Sequence, residues 1–343
     1  MRPEDAFDPG PVHEAIVRVR PEVGQRLPTV TQFTGGASNR SYRLDYGHQS
    51  LVLRRPPAGH VTGNAHDMSR EFRVLSALAP LYPKAPRAIL LEEDTRIMGE
   101  PFLVMEEIPG IILRKDPPED LELPSEACHQ LCETFVDGLV ELHRLSVAKT
   151  PLEGFGSGEG YLHRQVQGWA KRYRSARTPD AASFEGVIQW LEEHTPPQVS
   201  RVWVHNDYRF DNLILDRNQP SKVVGVLDWE LSTLGDPLMD LGNSLAYWVQ
   251  ADDDPMMHMI RRQPTHLTGM WRRAEVVDAY LEKMDLAVND LRFYEVMGLF
   301  RLAGIAQQIY RRYHDGLTTN PAFRDFIHGV NYFEQRISGL IDP

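Results

Sequence analysis

The sequence predicts an α+β fold in two lobes, a small β-rich N-terminal lobe and a larger helical C-terminal lobe. Three observations carry this. Short stretches alternate apolar and polar residues up to about Ile108. From Ser125 onward apolar residues recur at helical spacing almost to the end of the chain. Between the two regimes lies a Pro109-Gly110 break, which places the lobes at residues 1–108 and 109–343.

Each element follows from local pattern. A short apolar pattern around Ala15 to Val19 predicts a helix. FTGGASNRSY supplies turn chemistry, and Tyr42 and Leu44 then alternate with Arg43 and Asp45 as a strand does. A Tyr46-Gly47-His48-Gln49 turn leads to the strand LVLRR, and PPAGHVTGN is a loop. DMSREFRVLSALAP is helical, with Met68, Phe72, Leu75 and Ala79 on one face and Pro80 at its end. AILLEED and PFLVMEEI are two more strands. In the second lobe Cys128, Cys132, Phe135, Leu139 and Leu142 mark a helix that ends in LHRLS. GFGSGEG precedes a helix carrying Trp169 and Tyr173, short strands follow, and the rest is helical after Asp240.

Composition excludes several classes. With 42% hydrophobic and 25% charged residues over 343 positions, the chain is an ordinary globular protein. A net charge of -11 argues against a general nucleic-acid binder, which should be basic. The two cysteines lie four apart on one helix and read as core, which suits a reducing compartment. MRPEDAFDPG lacks the apolar region of a signal peptide, and no run of about 18 apolar residues exists to span a membrane. A cytoplasmic location is expected.

The chemistry concentrates in VWVHNDYRFDNLILDR, residues 202–217. Two apolar runs hold a loop that presents His205, Asp207 and Asn212. Sixteen residues beyond Asn212, Asp228 closes another apolar run. An Asn and an Asp at neighbouring strand ends offer hard oxygen donors, the kind Mg²⁺ takes while keeping substrate phosphates in its shell. Asp207 is then free to accept a hydroxyl proton. This H-x-D-x-x-x-x-N pattern, followed by a strand ending in Asp, resembles the core of the protein-kinase-like phosphotransferases. HNDYRFDNLILD and VLDWELSTLGDPLMDL are most similar to the aminoglycoside phosphotransferase and choline kinase group.

The resemblance implies a two-lobe protein-kinase-like fold, ATP and Mg²⁺ as cofactors, and phosphorylation of a small-molecule hydroxyl. Asp207 is then the catalytic base, and Asn212 and Asp228 are the metal ligands. Gly35, Gly36 and Ser38 belong to the phosphate-covering loop between the first two strands. Arg54 stands where the group usually has Lys, and it contacts the phosphates while Glu71 holds it. Arg is bulkier than Lys and not equivalent to it. Arg55, on the opposite face, is expected to be exposed. Met105 lines the base pocket, and the main chain of Glu107 and Ile108 meets adenine. His205 orients the loop, Asp240 accepts hydrogen bonds from the loop backbone, and Glu230 is a solvated charge.

LVLRRPPAG, SREFRVLSAL, YLHRQVQGWAKRY and GLFRLAGIAQQIYRRY resemble, more narrowly, the kinase-like domain fused to some acyl-CoA dehydrogenases, in which Arg at the Lys position is usual. Thirteen residues from Asp228 to Asp240 leave no room for a peptide platform, so a small acceptor is expected. A basic C-terminal lobe, including Arg164, Lys171, Arg174 and Arg177 on one helix face, favours a hydroxy-acid or hydroxyacyl-CoA. The rivals are a nucleotide-binding regulator without catalysis, supported only by Arg54, and an aminoglycoside kinase, supported by acidic Asp252-Asp253-Asp254.

Overall fold

A computed structural model describes residues 5–33, 39–56, 67–156 and 159–342. Its N-terminal lobe is an antiparallel sheet of β1 (Thr29–Gln32), β2 (Arg40–Asp45), β3 (Ser50–Arg55), β4 (Ala88–Glu92) and β5 (Phe102–Glu106), in the order β1-β2-β3-β5-β4. Strand β1 supplies the partner ahead of the FTGGASNRSY loop that the sequence pattern did not delimit. Gly35, Gly36 and Ser38 lie outside the described residues.

Two helices cover the sheet, one on each face. Helix α1 (Pro9–Val19) buries Val12, Ala15 and Ile16 against Tyr42, Leu44, Leu51, Leu53, Phe102 and Val104. Helix α2 (Met68–Leu78), capped by Asp67, packs Val74, Leu75 and Leu78 on the side of Leu103 and Met105. Its buried face is Met68, Glu71, Val74, Leu75, Ala77 and Leu78 rather than the expected row through Phe72 and Ala79. Phe72 is half-buried and Ala79 is exposed.

The period-two alternation of β3 decides the fate of its two arginines. Arg54 shares the Val52 face toward α2. Arg55 shares the Leu51 and Leu53 face and is buried, correcting the expectation that it is exposed. Its guanidinium lies over the rings of Phe7 and Tyr42 and donates to the Tyr42 hydroxyl and the Asp5 carbonyl, at 3.0 and 2.7 Å. A buried cation needs such partners.

The C-terminal lobe contains α3 (Ser125–His143), α4 (Tyr161–Ala176), α5 (Glu185–Glu193), α6 (Pro237–Leu245), α7 (Pro255–Ile260), α8 (Arg273–Met284), α9 (Arg292–His314) and α10 (Phe326–Ile341). The sequence pattern did not delimit α5, a nine-residue helix that buries Val187, Ile188 and Leu191. Cys128 and Cys132 are free and buried in α3, as their spacing implied. Two small antiparallel pairs interrupt the helices: β6 (Val202–Val204) with β9 (Thr233–Gly235), and β7 (Leu213–Leu215) with β8 (Val223–Val226). The segment leaving β5 is stitched to this lobe, because Ile111 and Leu215 exchange two backbone hydrogen bonds of 2.8 Å. At Gly110 an added Cβ would stand 2.4 Å from the Leu215 carbonyl oxygen, so only glycine allows the crossing. No described helix is long and apolar enough to cross a membrane.

Candidate active site

The loop between β6 and β7 is held from beneath. Asp240 is fully buried on the first turn of α6, a helix capped by Asp236. Its two carboxylate oxygens accept the backbone N–H groups of His205 at 2.6 Å and Asn206 at 2.7 Å. One of them also meets His143 Nε2 at 3.1 Å, and His143 Nδ1 lies 2.6 Å from the Tyr280 hydroxyl. Burial works against the Asp240 charge. His143, His205 and the backbone donors outweigh it, and the pKa falls below the ordinary 3.8.

His205 has the orienting geometry expected of it. The Asp207 amide donates to Nδ1 at 3.2 Å, so Nε2 carries the proton and donates to the Leu227 carbonyl at 2.9 Å. Burial lowers its pKa, which keeps this neutral tautomer. Asn206 adopts the left-handed conformation, φ 65°. Every polar group of Asn206 is engaged. Besides its amide, its side chain donates to Leu231 O and accepts from Tyr161 and Asn243, and its carbonyl accepts from Arg301 Nη2 at 2.8 Å. That web fixes the direction of the next residue, Asp207.

One Asp207 oxygen, Oδ2, accepts Asn212 Nδ2 at 2.9 Å and Arg209 Nη2 at 3.0 Å. Burial raises the carboxyl's pKa, but Arg209, Arg301 and His205 overcome it and hold the group ionised below the ordinary range. Arg209 lies 4.4 Å above the Tyr247 ring, with Asp211 3.4 Å from its Nε. Asn212 spends its amide hydrogens on Asp207 O and Oδ2, which leaves its Oδ1 as the oxygen donor.

Asp228, two residues past the end of β8, opens the turn that follows in the left-handed conformation, φ 68°. The Leu227 amide binds the Asn212 carbonyl at 2.8 Å, which keeps the two side chains as neighbours. Arg54 reaches this point from the other lobe. Its Nη1 meets Glu71 Oε1 at 2.5 Å, and its Nη2 meets Asp228 Oδ1 at 3.0 Å and Glu230 Oε2 at 3.6 Å. Burial opposes the Arg54 charge and the three carboxylates outweigh it. Burial pushes Glu71 up to about 7, against the pull of Arg54.

Glu230 is largely buried rather than solvated. It accepts from Asn39 at 2.8 Å, at the end of the phosphate-loop candidate. Arg70 clamps the same segment by donating to the Glu230 and Ser232 carbonyls, both at 2.5 Å. Met105 is buried against α2 in the shared core, Glu107 pairs with Arg43 Nε at 2.9 Å, and Ile108 lies against Gly225.

Thus Arg54, Glu71, Asp207, Asn212 and Asp228 converge. The basic face of α4 does not present itself as a free patch. Arg174 is paired with Glu185 at 2.6 Å, and Arg177 donates to Ala181 O. The acidic run is spent as well. Asp253 binds Arg273 and Arg336, and Asp254 caps α7. Sequence reasoning missed Arg209, His143, Asn206 and Arg70. Arg209 lay inside the quoted motif, two residues after Asp207, and its charge was the available signal. His143 gave none, because only the fold brings α3 beneath the loop.

A sheet lobe and a helical lobe meeting at an Asp-Asn-Asp constellation define a kinase-like phosphotransferase. The model of the phosphotransferase enzyme family known as APH matches residues 29–276, and the chain belongs to that family of small-molecule phosphotransferases. It is 38% identical over 289 residues to mouse acyl-CoA dehydrogenase family member 10, covering 82% of this chain and 26% of that protein. It is 32% identical over 291 residues to human acyl-CoA dehydrogenase family member 11, covering 83% and 36% respectively. The chain therefore spans about a quarter to a third of these relatives. Among solved structures, a Ralstonia eutropha protein provisionally described as an aminoglycoside phosphotransferase superposes with a TM-score of 0.78 at 27% identity, over 98% of both chains. Choline kinase from Cryptosporidium parvum shares the fold, with a TM-score of 0.62 and 14% identity over 96% of each chain. So does the aminoglycoside phosphotransferase APH(4)-Ia in a ternary complex with AMP-PNP and hygromycin B, with a TM-score of 0.61 and 15% identity over 97% of this chain and 98% of that one.

Proposed function

We propose that the chain transfers the γ-phosphoryl group of Mg-ATP to a hydroxyl of a small acidic acceptor, a hydroxycarboxylic acid or its CoA thioester. The observation that carries this is the state of Asp207: ionised, aimed by the Asn206 web, and held between Asn212 and Arg209. A carboxylate kept ionised in this way can take the proton of an attacking hydroxyl.

In this reading residues 1–108 grip the nucleotide and residues 109–343 carry the reacting groups and the acceptor. Asn212 Oδ1 and Asp228 hold Mg²⁺, and two side-chain donors suit an ion that keeps water and substrate phosphates around it. Bound there, Mg²⁺ supplies charge neutralisation at the phosphates. Arg54, held by Glu71 and beside Asp228, would supply positive charge to the phosphates of a bound nucleotide. Gly35, Gly36 and Ser38 cover the phosphates, and Met105 with the main chain of Glu107 and Ile108 accommodates the base. AMP-PNP in a structural neighbour supports a nucleotide as donor.

A pure regulator has no use for an oriented, ionised Asp207, and Arg54 joined to Glu71 and Asp228 is built for a nucleotide-holding role. An aminoglycoside acceptor wants free carboxylates, and Asp253 and Asp254 are already paired. Buried thiols without disulfides suit the cytoplasm.

Asp207→Asn tests the reading, because it keeps the shape and removes the base. Turnover with the best acceptor should fall about 10²- to 10⁴-fold. Calorimetric Mg-ATP affinity should hold. Unchanged turnover would remove Asp207 from the chemistry.

A further inference from the structure

Three arginines surround the catalytic loop, and they are not alike. Arg209 is neutralised in place by Asp207 and Asp211. Arg301, buried on α9, donates to the Asn206 carbonyl. Arg172, exposed on α4, extends over the indole of Trp169, with its Cζ 4.8 Å from the ring centre. Arg301 uses the same indole, its Cζ 5.6 Å away. Neither Arg172 nor Arg301 has a carboxylate within ion-pair distance among the described residues.

Two like charges share one ring, and partial desolvation of the guanidinium against the indole, with the charge of Arg301, lowers the pKa of Arg172. Elsewhere in this lobe arginines take carboxylates, as Arg174 takes Glu185 and Arg273 takes Asp253. The indole is seated deliberately close to α9: a Cβ at Gly304 would come within 3.1 Å of Trp169 Cε3. A Cβ at Gly168 would stand 3.4 Å from Arg172 Nη1, which places the guanidinium close over the α4 backbone. The result is an indole shared by two guanidinium groups that make no carboxylate ion pair among the described residues, and of the two Arg301 also touches the carbonyl of Asn206, the residue before Asp207. Planar guanidinium forks match carboxylate and phosphate oxygens.

We propose that Arg172, Arg301 and the face of Trp169 form a subsite for an anionic oxygen group of the acceptor, a carboxylate or a phosphate, beside Asp207. The word acceptor rests on the phosphotransferase reading above; the anion site itself does not. Arg172 supplies the direct fork. Arg301 adds the second charge while it holds Asn206, and Trp169 keeps both aligned. The subsite discriminates against polycationic sugars by repulsion as well as by missing partners.

The test is calorimetry on the full chain saturated with AMP-PNP and Mg²⁺. The probes are 3-hydroxybutyrate for a carboxylate, inorganic phosphate for a phosphate, and butane-1,3-diol as the neutral control. At least one anion should bind wild type more tightly than the diol, and the stronger arm identifies the source of the charge. Arg172→Ala should weaken that anion about tenfold or more, since a hydrogen bond to a charged group contributes at least that factor. Arg172→Glu should abolish binding, Arg172→Lys should recover part of it, and Arg301→Lys should weaken it several-fold. Nucleotide affinity should stay within about twofold of wild type in the Arg172 variants. If neither anion binds better than the diol, or if Arg172→Glu binds the anion as wild type does, the subsite is wrong. Intact anion binding without phosphoryl transfer to any hydroxyl would instead overturn the phosphotransferase reading alone.

Discussion

Replacing Asp240 by Asn perturbs the site at its foundation while changing almost no volume. In the wild type both carboxylate oxygens accept, from His205 N–H and Asn206 N–H, and one also meets His143. An Asn amide keeps one acceptor and turns the other into a donor that faces an N–H. One charge-assisted hydrogen bond is lost, which costs about 1.5–3 kcal/mol, and one buried donor is left without a partner, which costs about 1–3 kcal/mol. Together these come to about 2.5–6 kcal/mol, large against a total stability of about 5–15 kcal/mol but short of unfolding most domains. The orphaned amide belongs to the residues that aim Asp207, so turnover should fall about 100-fold, the loss expected of a roughly 1 Å misplacement. Urea unfolding should show a lower midpoint with an unchanged slope. The pH dependence has a definite sign. Asp240's pKa is depressed in the folded state, so its contribution is present above the unfolded value near 3.8 and is lost as pH falls through the folded value. The stability gap between wild type and Asp240→Asn should therefore be constant from neutral pH down to about 4 and narrow below it. A variant within about 0.5 kcal/mol of wild type at neutral pH, or one with full turnover, would refute the anchoring argument.

Three further outcomes follow from the same geometry. Asp228→Ala removes an oxygen donor and one partner of Arg54, so Mg²⁺ should no longer improve nucleotide affinity; equal calorimetric affinities with and without Mg²⁺ are expected, and a retained Mg²⁺ effect would contradict the metal assignment. Arg54→Ala should raise the KM for ATP and lower turnover, and it leaves buried Glu71 facing Asp228 without its cation; unaltered ATP kinetics would show that Arg54 does not serve the phosphates. Gly138→Ala would place a Cβ 2.2 Å from the hydroxyl of Tyr208, the neighbour of Asp207, so a loss of about 1–3 kcal/mol with reduced turnover is expected; unchanged melting and activity would mean that Tyr208 can give way.

The sequence by itself determined the linear parts of this protein. Alternation placed β2, β3 and β5, helical spacing placed α2, α3 and α4, and the spacing of His205, Asp207, Asn212 and Asp228 singled out the candidate catalytic loop and its neighbouring strand end. Those signals are local: a strand's period or a motif's offset needs no distant partner. The face of a strand was legible too, but not what covered it. Arg55 was expected in solvent because its cover, Phe7 and Tyr42, comes from other elements. Only the tertiary structure decided which charges are spent and which remain available. Glu230 is drawn from solvent by Asn39 and Arg54, while Arg174 and Asp253 are consumed in ion pairs. His143 reaches Asp240 across 97 positions of sequence and Arg301 reaches Asn206 across 95. A charge in a sequence states its sign alone; burial and the partner that packing brings to it determine what it does.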